Sequence, residues 1–277
     1  MKQVEVMEKI LLAAGNEDVE KEQEAFLLKY EKIAEKINSI EELTEYKEKE
    51  VLLISDREDF YKAAVQLQMA FLLYINDLNT SGSFPKAPYA ITSLEGIGLN
   101  YMEQVYKRFH HIPWNILDTA HLKVREMTVD DLDSLYEVYN HPSITRYMEG
   151  LYEDREKEAA YTRDYIKNVY GFYGYGLWIV EEKDSGQIIG RAGLSHREGY
   201  EEPELGYVIG KKYQNKGYAT EVCKAILKYG TKEFGFKHFN AFVHKDNGAS
   251  IRICEKCGMN WKEQVRIEDE LLERYYI

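Results

Sequence analysis

Seven consecutive residues, Gln214-Asn215-Lys216-Gly217-Tyr218-Ala219-Thr220, put a cation, a glycine and a small residue where a strand-like run gives way to a helix-like one. A strand that turns directly into a helix leaves several amide N–H groups unpaired at the positive end of the helix dipole, and such a group of donors suits a phosphate. Gly217 permits close backbone approach, Ala219 adds little bulk and Lys216 supplies charge. A second short motif, Asn247-Gly248-Ala249-Ser250, begins 33 residues after Gln214. Three other patterns invite chemistry less strongly. Cys254-Glu-Lys-Cys257 has metal or redox spacing but no second pair or histidine cluster beside it, so no metal is expected. Gly171-Phe-Tyr-Gly-Tyr-Gly176 precedes a strand instead of following one, unlike a dinucleotide loop, and reads as a mobile, aromatic edge of a cleft. His110-His111 falls in a candidate linker, where packing or surface exposure is the simpler use.

The elements that must carry these residues divide into two kinds. The first 84 residues contain no proline and are rich in Glu, Lys, Leu and Ala, which reads as helices because proline removes backbone donors from helix interiors. Val6, Met7, Ile10, Leu11 and Ala14 share one helical face, and Phe26, Leu27, Tyr30, Ile33, Ala34 and Ile37 share another. Asn38 and Ser39 offer a break and a cap. From Asp56 a long face runs through Phe60, Ala63, Ala64, Leu67, Phe71, Tyr74, Ile75 and Leu78. Asn79 to Ser83, with Pro85 and Pro88, makes a loop, and Leu99, Met102, Val105, Tyr106 and Phe109 mark a further helix. The expectation is an all-α domain over 1–118.

Beyond a boundary at 110–119 the period changes. Leu122-Lys-Val-Arg125 alternates as a strand, helices are expected over 130–139 and about 155–170, and Leu177 to Val180 and Gln187 to Gly190 flank the hairpin turn Asp184-Ser-Gly186. A strand at 205–209, a helix over 217–234, a strand at 239–244, a short helix over 249–256 and strands at 261–265 and 272–276 complete a mixed α/β domain over 119–277.

Composition limits what the chain can meet. With 36 Lys+Arg against 48 Asp+Glu the formal charge is -12, so nonspecific nucleic-acid binding is not expected. The charge divides into -8 for residues 1–118 and -4 for 119–277, from 13 basic and 21 acidic residues in the first part and 23 and 27 in the second. No run of about 18 apolar residues and no leader-like stretch appears, and the three cysteines (Cys223, Cys254, Cys257) lie in the last quarter. A soluble, reducing, cytoplasmic setting without membrane contact is expected. Of 23 tyrosines, 16 lie beyond Thr119, a bias composition does not explain.

Strand Glu204-Leu-Gly-Tyr-Val-Ile209, the glycine loop, a helix, a strand, and Asn247 to Ser250 leading into Glu255-Lys-Cys-Gly-Met259 occur in the order that resembles the GNAT superfamily of N-acetyltransferases. Gln214, Gly217 and Ala219 match its Gln/Arg-x-x-Gly-x-Gly/Ala pyrophosphate loop. The Gly-Tyr strand and the Asn-x-x-Ser helix start are most similar to the ribosomal-protein acetyltransferases of the RimJ/RimL type. The resemblance covers about residues 120–277. It implies a mixed, mostly antiparallel sheet flanked by helices, acetyl-CoA as acyl donor and an amine as acceptor. It also implies backbone pairing of Tyr207, Val208 and Ile209 with the pantetheine arm. Gln214 and the amides of Asn215, Lys216, Gly217, Tyr218, Ala219 and Thr220 would hold the pyrophosphate, with Asn247 contacting the pantetheine or ordering the cleft.

The transfer itself needs a neutral amine. A lysine-like amine of pKa about 10.4 costs roughly 4.6 kcal/mol to deprotonate at pH 7, whereas an α-amine of about 7.8 costs roughly 1.1. Glu204, beside the cofactor strand, is the candidate base, or else a surface carboxylate. The resemblance also implies that a backbone N–H near Val208 would stabilise the oxyanion. The tyrosine that many members carry seven residues after the asparagine is replaced by Cys254; the resemblance to the RimJ/RimL type implies instead the serine three residues after the asparagine, Ser250, as proton donor for the thiolate, or else a helix cap or cofactor contact. Tyr207 and Tyr218 stand in reserve. Glu198, Glu201 and Glu202 would suit a cationic acceptor. The helical domain would shape acceptor access or form a protein or dimer contact, and a noncatalytic acyl-CoA-binding or interaction module is the alternative to an enzyme.

Overall fold

The structure, a computed structural model, describes residues 7–13, 15, 17–47, 49–77, 79, 84, 85, 87 and 89–277, and forms two compact units, Met1–Trp114 and Asn115–Ile277. The division falls before the expected 118/119 boundary because Asn115–Asp118 pairs as a strand with Leu122–Arg125 of the second unit.

The first unit corrects the all-α expectation. Strands β1 (Lys9–Ala13), β2 (Ala34–Lys36), β3 (Val51–Ser55), β4 (Ala70–Tyr74) and β5 (Ala90–Ile91) form a parallel sheet in the order β2-β1-β3-β4-β5. Helices α1 (Glu17–Lys29), α2 (Ile40–Thr44), α3 (Glu58–Leu67) and α4 (Leu99–Phe109) alternate with them. The face expected around Ile10 and Leu11 is strand β1, with Val6 and Ala14 outside the described residues. The long face from Asp56 breaks into α3 and β4, with Gln68 in the left-handed region (φ 54°) turning the chain between them; Leu78 lies outside the described residues. Likewise Phe26 belongs to α1 but Ala34 to β2. Of the loop expected over 79–88, residues 80–83 and Pro88 lie outside the described residues; α4 falls where Leu99 to Phe109 placed it.

The reason is burial on both faces. Ile10, Leu12, Leu52, Ile54, Ala70 and Leu72 pack into one core with Phe26, Met102 and Tyr106. Leu11, Ala13, Leu53 and Phe71 pack into the other with Leu43, Phe60 and Ala64. Strands covered by helices on both sides lose the period-2 alternation that identifies a strand, and their apolar runs then imitate helical faces. Proline avoidance is equally a property of central strands. At the carboxyl ends of the strands, where open α/β sheets receive ligands, Asp56 accepts the Gly15 N–H at 2.7 Å and Asn76 Nδ2 at 2.9 Å, so its carboxylate ties three loops together.

The second unit is the expected mixed sheet. Its strands are β6 (Asn115–Asp118), β7 (Leu122–Arg125), β8 (Leu177–Glu182), β9 (Ile188–Ser195), β10 (Glu204–Ile209), β11 (Asn240–His244), β12 (Asn260–Ile267) and β13 (Glu270–Tyr276). Their order is β12-β13-β11-β10-β9-β8-β7-β6, antiparallel throughout except for β10 with β11. The helices are α5 (Leu132–Tyr139), α6 (Arg155–Tyr165), α7 (Gly171–Tyr173), α8 (Tyr218–Phe234) and α9 (Gly248–Lys256). Side chains alternate between faces along a strand and are shared across a pairing. Val208 packs with Val138 and Tyr139 of α5. Trp178 meets Tyr229 of α8, and Leu194 lies against Gly230. The α5 side of the sheet and the α8 side are therefore opposite faces.

Candidate active site

Strand β10 pairs with β9 along its whole length but with β11 only at Glu204↔Asn240. β11 is in turn held to β13 from Asn240 to His244. The two parallel strands therefore part at Glu204, leaving a wedge along whose edge run the backbones of Tyr207, Val208 and Ile209. An unpaired strand edge accepts an extended amide-bearing chain as it would an added strand, which fits a pantetheine arm.

The glycine loop lies at the end of the same strand. After Ile209 a 3-10 turn, Lys211–Tyr213, is followed by Gln214, whose Nε2 donates to the Ile209 carbonyl at 3.0 Å and folds the loop back on β10. Asn215 (φ 64°) and Gly217 (φ 89°) both adopt left-handed backbone, and α8 starts at Tyr218 with no side chain capping it. Its first-turn amides are thus left for a ligand, and nothing lies within 4 Å of where a Gly217 side chain would begin. The donor set suits a diphosphate. Lys216 stands by the loop, its Nζ 3.5 Å from Glu182. Tyr218 donates its hydroxyl to Glu182 at 2.7 Å, a bond that pushes its pKa up to about 12. That bond directs the Tyr218 hydroxyl to the β8 side and removes it as the reserve proton donor.

The α8 face of the wedge holds the predicted serine. Asn247 caps α9 by accepting the Ser250 N–H on Oδ1 at 3.1 Å, so the cap is the asparagine and not the serine. The Ser250 hydroxyl instead meets the Tyr207 hydroxyl at 3.1 Å. Burial holds the Tyr207 phenol well above its usual range, keeping it protonated. Cys254, 3% exposed, has its thiol pushed up to about 12 by burial and packs with Cys223 and Cys257 behind Tyr207.

Glu204, Gly206 and Val208 project to the opposite, α5 face. Glu204 accepts Nε of Arg197 at 2.5 Å, with side chains 14% and 33% exposed respectively. The Arg197 guanidinium lies 5.1 Å from the centre of the Phe242 ring, which is also packed by Tyr200 at 4.8 Å. Glu202 is committed to Arg274 at 3.5 Å and to Asn240 Nδ2 at 3.4 Å. At the open end of the wedge His244 stacks on Tyr147 at 5.0 Å and its Nδ1 accepts the Asp246 N–H at 3.2 Å. Arg197, Phe242, His244 and Tyr147 carried no sequence signal: they come from three separated stretches and meet only through the fold.

The aromatic stretch 171–176 is only partly an exposed edge. Phe172 is 81% exposed, but Tyr175 is buried, and the preceding Tyr170 is buried with its hydroxyl on the Leu177 carbonyl at 2.6 Å. Tyr165 accepts the Leu177 N–H at 2.7 Å, and a side chain at Gly176 would lie 2.7 Å from the Tyr170 ring. Two of the tyrosines, Tyr165 and Tyr170, thus anchor the end of α6 and the turn after it to β8.

A splayed parallel strand pair ending in an uncapped helix start fits the binding of an extended, diphosphate-bearing acyl carrier. The Acetyltransferase (GNAT) domain family matches residues 121–260, and the chain belongs to that family. It is 32% identical to the Bacillus subtilis (strain 168) protein YkkB over 157 residues, 54% of this chain and 88% of that one. It is 28% identical to the N-acetyltransferase YnaD of the same organism over 165 residues, 58% of this chain and 94% of that one. Among solved structures the second unit is similar to the ribosomal α-N-protein acetyltransferase RimL in complex with coenzyme A, with a TM-score of 0.51, 12% identity, and coverage of 59% and 97% of the two chains. The protein is an acetyltransferase whose acyl donor is acetyl-CoA. Among the described residues no helix is long and apolar enough to cross a membrane.

Proposed function

We propose that the chain transfers the acetyl group of acetyl-CoA to a primary amine, of a small molecule or a protein N-terminus, by direct attack in a ternary complex. One observation carries this reading: Glu204 and the Ser250–Tyr207 pair approach the wedge from opposite faces of the sheet. An amine deprotonated at Glu204, directly or through water, attacks from the α5 face, while the departing sulfur takes a proton on the α8 face from Ser250. Amides of 215–220 hold the diphosphate, the edge of Tyr207 to Ile209 aligns the pantetheine, and an N–H near Val208 meets the developing oxyanion.

The test is release of free CoA with a panel of amines. Glu204→Gln should lower kcat about a hundredfold with little change in the KM for acetyl-CoA, the scale of a lost general base. Saturable acetyl-CoA binding without release for any amine would sink the reading and leave a noncatalytic acyl-CoA-binding module.

A further inference from the structure

The Arg197–Glu204 pair at the apex of the wedge is joined by a single bond, Nε to Oε2. Among the described residues the two terminal nitrogens of Arg197 and the Oε1 of Glu204 have no hydrogen-bond partner. Each half of the pair thus keeps an unused side. The other guanidinium nearby, Arg274, has a partner at each nitrogen: its Nε reaches Asn240 at 2.8 Å, one terminal nitrogen reaches Glu263 at 2.8 Å and the other Glu202 at 3.5 Å. Of the three acids expected to suit a cationic acceptor, Glu202 is committed in the same network, while Glu198 and Glu201 are exposed.

We propose that the acceptor is a zwitterion, an α-amino acid whose carboxylate docks on the open fork of Arg197 while its amine takes the free oxygen of Glu204. This rests on the transferase reading of the same site. A planar guanidinium presents two parallel N–H groups that match a carboxylate and not a second cation. The Phe242 face beneath holds that fork in place. In an α-amino acid the two charges are separated by one carbon, so they meet the two adjacent charges of the pair in the reverse order. A polyamine would bring its second positive charge against the Arg197 guanidinium, where an α-amino acid brings a carboxylate. In the transfer the ammonium gives one proton to Glu204, the freed lone pair forms the C–N bond and the C–S bond breaks. The second nitrogen proton leaves as the sulfur is protonated, so acetyl-CoA and ammonium give CoA thiol, N-acetyl amino acid and one proton.

The experiment measures kcat/KM for CoA release by the full chain with the proteinogenic amino acids, their carboxamides, the matching decarboxylated amines, spermidine and a short peptide. The best amino acid should exceed its own carboxamide by about tenfold to a hundredfold, the value of a charge-assisted bond. Arg197→Gln should bring that ratio close to one, and Arg197→Lys should keep part of it. A ratio unchanged in Arg197→Gln, or a carboxamide, peptide or spermidine turned over as well as the best amino acid, overturns the zwitterion and leaves the transferase standing. No release with any acceptor overturns both.

Discussion

Ser250 carries two functions in the sequence pattern, helix cap or proton donor, and the geometry separates them. Asn247 takes the cap, so the serine hydroxyl is free to bond Tyr207 across the wedge. That partnership puts a hydroxyl pair at the wedge, whereas the Cys254 thiol is buried against Cys257. If Ser250 donates and Tyr207 orients it, Ser250→Ala should cut kcat about tenfold to a hundredfold while the KM for acetyl-CoA moves little. Tyr207→Phe should give a smaller loss, and the double variant should match Ser250→Ala alone. Losses that multiply in steady-state kinetics would mean two separate roles. The loop residues and Asn247 were legible because their backbone requirements dictate residue type: a left-handed φ favours Gly217, and a cap favours Asn. Arg197 was not, because an arginine seven positions before a glutamate in a loop has no periodicity to announce that the chain folds them together.

At the scale of elements, hairpins and amphipathic helices were legible and doubly covered strands were not. β8 and β9 flank a turn with a glycine at φ 66° and were readable from that turn. β1, β3 and β4 have helices on both sides, and no polar residue interrupts their apolar runs. The same burial acts on α4, whose last residues precede His110. A helix C-terminus normally favours a protonated histidine, but His110 sits on the Tyr106 ring at 4.5 Å and burial lowers its pKa. The neutral form is thus favoured in the fold, so the unfolded chain binds more protons as pH falls through the usual histidine range. Stability from this group is full above the unfolded value of about 6.5 and is lost as pH drops from there toward the lower folded value. His110→Gln should therefore show a smaller drop in melting temperature between pH 7.5 and 5.5 than the parent chain. An equal or larger drop would mean that His110 is charged in the fold.

The whole molecule joins two units that each bury their own core, the first around a parallel sheet and the second around the acetyltransferase sheet. Separate cores give separate cooperative transitions unless the interface between units dominates. Only the second unit carries the wedge and the uncapped start of α8, so acetyl-CoA should act on its transition alone. At a hundred times its dissociation constant the ligand should add about 2.7 kcal/mol to that unit. Gly217→Glu, which puts a carboxylate and a strained left-handed residue where the diphosphate would lie, should abolish the shift. Leu53→Ala, which empties a fully buried position of β3, should cost about 2–5 kcal/mol in the other transition and leave the acetyl-CoA shift intact. Scanning calorimetry of the full chain reads all three at once. A single transition displaced both by acetyl-CoA and by Leu53→Ala would show that the two cores fold as one. The first unit would then be a structural part of the transferase and not a module that merely shares its chain.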